Sequence, residues 1–373
     1  MPRTPHAQVR YAVVGAGWIS QAAFMPGVAQ NLAKSGNSTM TAIVTADQQK
    51  AEALGVRYGI ERTYHYDAYR AALDSKGFEA IYLALPNDQH RQFAVPALEA
   101  GIHVLLEKPM ATSEEDCRAI EAAARSSGAK LMIAYRLHFD PATLEAIRIE
   151  QSGALGRVWL FTSTFAQPVA KTNHRASHGF WAGPVADMGP YPINAVRNLF
   201  RAEPIEVMAW STKHEHLGFN FDDTVAVQLR FPGNRIAQFT VAYGLNTINE
   251  YRIAGDKGNL LVNKGYAFPG PITHTLTLGE TQTTRTFPIS DQFGAETHYF
   301  SDCILNDRDP EPDGEEGRLD VRVITAIEQA LLTGKPQQLA PFHRAKHPIP
   351  DQAIELPAIA LPPLVNAHAP TDG

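Results

Sequence analysis

The feature that most constrains the fold is the alternation of short apolar strands with amphipathic helices over the first third of the chain. Residues 10–14 form an aromatic and β-branched run that ends at Gly15-Ala16-Gly17, and residues 21–32 follow with helical spacing. The same patterns predict further strands at 40–45, 80–85, 103–106 and 130–135, and helices at 46–58, 90–100 and 117–126. Such strand–helix units imply right-handed crossovers, so this region is predicted to form an α/β Rossmann domain with a doubly wound parallel sheet.

The pattern changes after residue 140, where strands follow one another with few helices between them. Strands are predicted at 157–164, 205–212, 224–231, 236–243, 251–254, 259–262 and 273–278, and helices at 141–150, 194–200, 296–306 and 320–333. Apolar and polar residues alternate within 225–231, as in a strand with one buried face. This pattern predicts an α+β C-terminal domain with a large, mainly antiparallel open sheet.

We therefore expect a dinucleotide-binding domain at 8–136, a substrate-binding and oligomerisation domain at 137–335, and a tail at 336–373. Eight prolines fall within the 38 residues of that tail. A segment so rich in proline is expected to be extended, lying across another surface or mobile.

Composition excludes several classes of protein. The 373 residues are 44% hydrophobic, which is enough for full cores, and the formal net charge of −6 argues against nucleic acid or an anionic membrane as the main partner. The two cysteines, Cys117 and Cys303, cannot form a disulfide framework, and Cys117 is expected on an exposed helix. With no apolar signal segment at the start, we expect a cytoplasmic protein.

The turn after the first strand has the pattern of a dinucleotide fingerprint. Gly15 and Gly17 stand where glycine allows a tight turn and a close approach to pyrophosphate, next to Trp18 and Ile19 at the start of a helix. Ser20 replaces the third glycine, so the string alone also fits an ordinary turn. Because more strand–helix units follow, we predict that Gly15, Gly17, Trp18 and Ile19 bind a dinucleotide.

The end of the second strand indicates which dinucleotide binds. An NAD site would have an acid there for the ribose 2′-hydroxyl, whereas this chain has Thr45 and then Lys50 one helical turn later. A missing acid and a nearby cation favour the 2′-phosphate of NADP over NAD. The alternatives are that Asp47 serves as the acid after a loop shift, or that Lys50 is a solvated surface lysine.

Two strings follow later strands, at the sheet edge where ligands bind in open α/β folds: Leu85-Pro86-Asn87-Asp88-Gln89-His90 and Glu107-Lys108-Pro109. A lysine at such a strand end would lie beside the nicotinamide, and a cis Lys108–Pro109 bond would aim it inward. The predicted cofactor contacts from these strings are Leu85, Pro86, Asn87, His90, Glu107 and Lys108. Alternatively, Glu-Lys-Pro is a solvated strand end and His90 a polar residue at a helix N-terminus.

Asp187 and Tyr191 are four positions apart and share a face if that turn is helical. A carboxylate, a phenol and the Lys108 ammonium meeting over a nicotinamide would form a proton relay for alcohol oxidation, because the positive charge favours the phenolate. The alternative makes Asp187 a helix N-cap and Tyr191 a core aromatic residue.

The motifs at 15–20, 85–90, 107–113 and 187–194 occur together in order. The set resembles the glucose–fructose oxidoreductase, inositol dehydrogenase and MocA-like (Gfo/Idh/MocA) family over residues 10–335. Segments 131–141, 314–317 and 320–322 look most like the glucose–fructose oxidoreductase branch.

The resemblance implies that Lys108, Asp187 and Tyr191 are catalytic, that these three and Arg136 contact the substrate, and that Arg136 also lies at the cofactor. It places Thr45 and Lys50 at the NADP phosphate. It further implies hydride transfer between NADP and a sugar without a metal. The reaction would be either oxidation of an aldose to a lactone or reduction of an aldose or ketose. The resemblance also implies a homodimer or homotetramer formed through the C-terminal sheet. The open alternatives are a xylose or trans-dihydrodiol dehydrogenase and a non-catalytic NADP-binding sensor.

Overall fold

The computed structural model describes residues 7–33 and 36–371. The chain divides into two compact units. The first takes the residues up to Arg136 together with Ser290–Arg318 and Ile354–Ala369, and the second takes Leu137–Ile289, Leu319–Ala353 and the residues from Pro370 on. Residues 290–318 and 354–369 thus belong to the first unit, although the sequence pattern assigns them to the second domain and the tail.

The first unit is built on a six-stranded parallel sheet with the strand order β3-β2-β1-β4-β5-β6. Its strands are β1 (Val9–Val14), β2 (Ser38–Val44), β3 (Arg62–Tyr64), β4 (Ala80–Leu83), β5 (His103–Leu106) and β6 (Leu131–Ile133). This order confirms the predicted doubly wound sheet. The short strand β3 was not predicted, because Arg-Thr-Tyr offers no apolar run.

Five helical segments connect these strands: α1 (the consecutive pieces Ser20–Phe24, Met25–Gly27 and Val28–Leu32), α2 (Gln48–Tyr58), α3 (Tyr69–Asp74), α4 (His90–Glu99) and α5 (Glu114–Ser127). Helix α5 corrects one expectation, since Cys117 is fully buried rather than exposed. The first turn of α5 is acidic, but Cys117 shares the inward face with Ile120 and Ala123. Cys303 is also buried.

The second unit is built on a nine-stranded sheet with the order β14-β13-β12-β11-β7-β10-β9-β8-β15. Its strands are β7 (Val158–Gln167), β8 (Glu206–Thr212), β9 (Thr224–Phe231), β10 (Arg235–Tyr243), β11 (Ile248–Gly255), β12 (Gly258–Asn263), β13 (Ile272–Leu278), β14 (Thr281–Phe287) and β15 (Gln337–Gln338). Strands β7 and β10 are parallel and the other neighbours are antiparallel, which confirms a mainly antiparallel sheet. The sequence pattern did not predict the threonine-rich strand β14, because it contains no apolar run.

Helices α6 (Pro141–Gln151), α7 (Pro184–Asp187) and α8 (Pro190–Phe200) complete the core of the second unit, in which the apolar residues of β9 are buried as the alternation predicts. Helix α9 (Gln292–Leu305) lies in the first unit, and α10 (Gly314–Thr333) continues from the first unit into the second. None of the helices within the described ranges is long and apolar enough to cross a membrane.

Candidate active site

The glycine turn after β1 has the geometry that a pyrophosphate site requires. Gly15 has φ of +91°, and a Cβ there would lie 2.3 Å from the Ala84 carbonyl oxygen, so no other residue fits. A Cβ at Gly17 would meet no described atom within 4 Å, so the backbone at this position faces open space. Ser20, in place of the third glycine, donates its hydroxyl to the Gly15 carbonyl at 2.5 Å. The predicted neighbours Trp18 and Ile19 are half-buried.

The Asp47 side chain, at the carboxyl end of β2, is engaged in hydrogen bonds. Its Oδ1 accepts the Lys50 backbone N–H at 2.9 Å as the N-cap of α2, and its Oδ2 accepts the Asn366 amide at 3.0 Å. These hydrogen bonds lower the pKa of Asp47, the one from Lys50 most. The Lys50 Nζ lies 4.0 Å from Oδ2, and Thr45 is buried at the strand end. Both carboxyl oxygens of Asp47 are thus engaged, and contact of Thr45 or Lys50 with a ribose 2′-substituent stays a prediction.

The His90 ring contacts both of the sequence strings that are predicted to lie at the ligand-binding edge of the sheet, 85–90 and 107–109. Its Nε2 lies 3.0 Å from the Leu85 carbonyl and its Nδ1 lies 3.0 Å from the Pro109 carbonyl. The ring is fully buried, and this burial lowers the pKa of His90 although the carbonyl contacts act in the opposite direction. These contacts make His90 a positioning residue for both strings, while its contact with a cofactor stays a prediction. Pro86 is exposed, and Leu85 and Asn87 are half-buried.

The Glu107-Lys108-Pro109 string ends β5, and its Lys108–Pro109 bond is cis, as predicted. The Tyr82 hydroxyl donates to Glu107 Oε1 at 2.6 Å. Burial raises the pKa of Glu107 against the opposing charges of Lys108 and Arg136. Lys108, the next residue in the chain, is half-buried.

Arg136 lies in a buried polar cluster with residues from α9 that the sequence pattern did not identify. It donates to the Gln292 side-chain oxygen, and its guanidinium lies 5.9 Å from the centre of the Phe293 ring. Glu296 is fully buried, and neither of its carboxyl oxygens has a hydrogen-bond partner among the described residues. Burial, reinforced by the charge of Glu107, raises the pKa of Glu296 well above its ordinary value and so favours its neutral form.

Asp187 and Tyr191 belong to two consecutive helices of the second unit. The spacing of four predicts a single helical turn, but α7 ends at Asp187 and α8 begins at Pro190. The N-cap of α8 is Gly189, so Asp187 does not take that position. A Cβ at Gly189 would lie 2.2 Å from the Val185 carbonyl oxygen, so only glycine permits this close approach of the two helices.

Two residues that the motifs did not reveal hold Asp187. The Tyr243 hydroxyl donates to Asp187 Oδ2 at 2.9 Å, and Arg175 Nε lies 3.3 Å from the same oxygen. Burial would lower the pKa of Arg175, but Asp187 and the phenols of Tyr243 and Tyr191 raise it above its ordinary value. Arg175 is therefore a cation held beside the Asp187 carboxylate. Burial also raises the pKa of Tyr243, which stays a hydrogen-bond donor.

The Tyr191 ring is packed in the core, as the alternative interpretation of the sequence has it, but the residue is half-buried rather than enclosed. Its ring meets Phe165 edge-on at 5.5 Å and lies 5.7 Å from the Tyr266 ring. Such packing fixes the orientation of a phenol, so a structural and a catalytic role are compatible. Within the described part of the chain, no group of three or more His, Cys, Asp or Glu residues could hold a metal ion.

Comparison with known proteins identifies the class. Residues 9–135 match the model of the oxidoreductase family with an NAD-binding Rossmann fold, and residues 143–261 match the GFO/IDH/MocA C-terminal domain. The chain belongs to the Gfo/Idh/MocA family of oxidoreductases, as its motifs predict. This assignment confirms the predicted fold class and the prediction that the protein is an oxidoreductase.

Three relatives illustrate the chemistry within the family. A D-xylose 1-dehydrogenase [NADP(+)] of Haloarcula marismortui is 28% identical over 336 residues, which are 87% of this chain and 91% of the relative. A trans-1,2-dihydrobenzene-1,2-diol dehydrogenase of Mus musculus is 28% identical over 69% of this chain and 76% of its own. The crystal structure of an aldose-aldose oxidoreductase from Caulobacter crescentus, complexed with glycerol, is 32% identical with a TM-score of 0.82, covering 89% of this chain and all of that one.

Proposed function

We propose that the protein is an NADP-dependent oxidoreductase that transfers hydride between nicotinamide and a sugar. It would oxidise the C1 hydroxyl of an aldose to a lactone, or reduce an aldose or ketose in the opposite direction, as a glucose–fructose oxidoreductase does. The observation that carries the proposal is the cluster in which Arg175 and Tyr243 hold the Asp187 carboxylate, four positions before Tyr191. The xylose and aldose oxidoreductases among the relatives support a sugar substrate.

NADP, when bound, would supply the nicotinamide carbon that accepts or gives up hydride. The open backbone at Gly17 and the cation Lys50 beside an engaged Asp47 fit a dinucleotide with a 2′-phosphate. The residues proposed to contact the cofactor are Gly15, Gly17, Trp18, Ile19, Thr45, Lys50, Leu85, Pro86, Asn87, His90, Glu107, Lys108 and Arg136. The NADP dependence of the Haloarcula relative supports this choice.

The side chains of this chain would manage the proton that accompanies hydride transfer. In oxidation, the Tyr191 phenol oxygen takes the proton of the sugar hydroxyl, and in reduction it returns that proton. Lys108 donates a hydrogen bond to the same hydroxyl and favours its ionisation, while Asp187 orients the substrate. Arg175 and Tyr243 hold the Asp187 carboxylate in place. Arg136 is the fourth residue proposed to contact the substrate.

A direct test follows the absorbance of the purified protein mixed with NADP while single aldoses and diols are added. We expect the band of reduced nicotinamide to appear with one or more aldoses. A response to xylose alone, or to trans-dihydrodiols alone, would favour the alternative dehydrogenases represented among the relatives. Binding of NADP with no response to any sugar or diol would contradict the proposal and favour a non-catalytic sensor.

Lys50→Ala tests the cofactor choice. Removing a cation from the 2′-phosphate should cost a charge-assisted hydrogen bond of about 1.5–3 kcal/mol, so NADP binding should weaken about tenfold or more while NAD binding changes little. Titrations of each dinucleotide against intrinsic fluorescence measure both constants. The control is Gln48→Ala, which removes an exposed side chain bonded to Glu52 in the same helical turn and leaves the charge intact. An unchanged preference would exclude Lys50 from the phosphate site.

We further propose that the protein is a cytoplasmic homodimer or homotetramer. One face of the nine-stranded sheet exposes large apolar side chains, among them Leu160, Trp210 and Ile236. Such apolar residues on one open face favour association between copies of the chain. Light scattering should give a mass of two or four chains, and Trp210→Glu should lower it. A monomer at micromolar concentration would contradict the proposed assembly.

A further inference from the structure

The segment 354–366, here called the strap, is extended and lies along the first unit. Backbone groups of the strap form hydrogen bonds with the first unit at four successive points. The Leu356 carbonyl accepts from the Asp291 backbone N–H, and the Pro357 carbonyl accepts from the Asn31 side chain. The backbone N–H and carbonyl of Ala360 both pair with the Gln30 side chain, and the Pro363 carbonyl accepts from Arg57. Prolines at 357, 362 and 363 restrict the free segment as well, so ordering it costs less conformational entropy. The contacts follow the strap in sequence order.

The far end of the strap reaches the glycine turn. The Gln21 amide donates to the Val365 carbonyl at 2.9 Å, and the Val365 N–H donates to Gln21 Oε1 at 2.8 Å. The same Gln21 amide donates to the carbonyl of Ala16, the residue between the two glycines, at 2.9 Å. Val365 is thereby tied to the turn that would receive the pyrophosphate.

The next residue of the strap reaches the end of β2. Asn366 donates to Asp47 Oδ2 at 3.0 Å, and Asp47 caps the helix that carries Lys50. In a dinucleotide fold, the adenosine ribose lies between the glycine turn and the end of the second strand. Two consecutive strap residues therefore bond to both borders of the ribose subsite, while the backbone at Gly17 still faces open space.

We propose that the strap forms the outer wall of the adenosine half of the cofactor site and slows the release of the dinucleotide. The inference rests on the proposed function only in that the first unit binds NADP; it is independent of the sugar. Its contacts close the ribose end, where a bound adenosine would otherwise face solvent, and leave the pyrophosphate position accessible.

The test measures release of NADPH directly, without any sugar. Protein loaded with NADPH is mixed with excess NADP, and the loss of NADPH fluorescence gives the dissociation rate. A chain ending after Ala360, which lacks the Val365 and Asn366 contacts, should release NADPH at least about tenfold faster and bind it more weakly. The matched control ends after His368, because it keeps the whole strap while removing the bond from Ala170 to the Pro370 carbonyl in the second unit.

Two substitutions test the proposal even if the shortened chain fails to fold, because they leave the chain at full length. Asn366→Ala removes the bond to Asp47, and Gln30→Ala removes the bonds to Ala360. Both should speed release in the same direction by a smaller factor. Unchanged release in these variants, or tighter binding after removal of the strap, would overturn the proposal. If NADPH binding depends on the strap but no sugar or diol is oxidised, the proposed function would be overturned and the proposed role of the strap would be kept. If the full chain binds no NADPH, both proposals would be overturned.

Discussion

Replacement of Tyr191 by Phe is expected to lower turnover about 10²–10⁴-fold, the usual contribution of one general acid–base group. The substitution removes only the phenol oxygen, and the ring would keep its contacts with Phe165 and Tyr266. The loss should therefore appear in kcat, with NADP binding and thermal stability nearly unchanged. Steady-state rates with the sugar that gives the strongest signal measure the effect.

Tyr266→Phe is the matched control for this experiment. Tyr266 contacts the Tyr191 ring but is buried with its hydroxyl 2.9 Å from the Ser163 hydroxyl, so its loss should affect stability more than turnover. The pH profile adds a second readout, because a phenol that accepts the proton should impose an ionisation on kcat that the Phe variant lacks. Near-normal turnover of Tyr191→Phe would remove this residue from the mechanism.

Much of the fold could be predicted because its strands carry their own signal. Strand β4 is a continuous apolar run because both of its faces are buried, and β9 alternates because only one of its faces is buried. Strands β3 and β14 lack that signal because most of their residues are exposed or only half-buried. The prediction that Cys117 is exposed was wrong for a related reason. Three acidic residues precede it in the first turn of α5, and their polarity does not show that the next residue faces the core.

The candidate site could be predicted only where chemistry and local chain geometry coincide. The glycine turn and the Glu107-Lys108-Pro109 string are contiguous, whereas Arg175 and Tyr243 reach Asp187 through tertiary packing, which also buries Glu296. The sole hint for Glu296 was a carboxylate within an apolar stretch of α9. Likewise, one of the two hydrogen bonds that engage the Asp47 carboxylate comes from Asn366, which lies 319 positions beyond Asp47. No local pattern encodes a contact at such a separation.

A buried ion cluster in the second unit involves Asp320. Arg197 donates through Nε to Glu203 at 2.6 Å and through a terminal nitrogen to the other Glu203 oxygen at 3.0 Å, and its remaining nitrogen bonds to Asp320. All three side chains are at least 97% buried. One guanidinium thus compensates two carboxylates and joins α8 to α10 within that unit.

Arg197→Met should therefore lower the free energy of unfolding by about 3–5 kcal/mol, because it leaves two buried carboxylates without their cation. Urea unfolding followed by tryptophan fluorescence suits the measurement, since Trp159, Trp181 and Trp210 all lie in the second unit. Arg230→Met is the control: it breaks the exposed pair with Glu206 at 3.3 Å and should cost at most about 1 kcal/mol. If both substitutions had equally small effects, the cluster would contribute no more than a surface ion pair, and the link between α8 and α10 would depend on apolar packing alone.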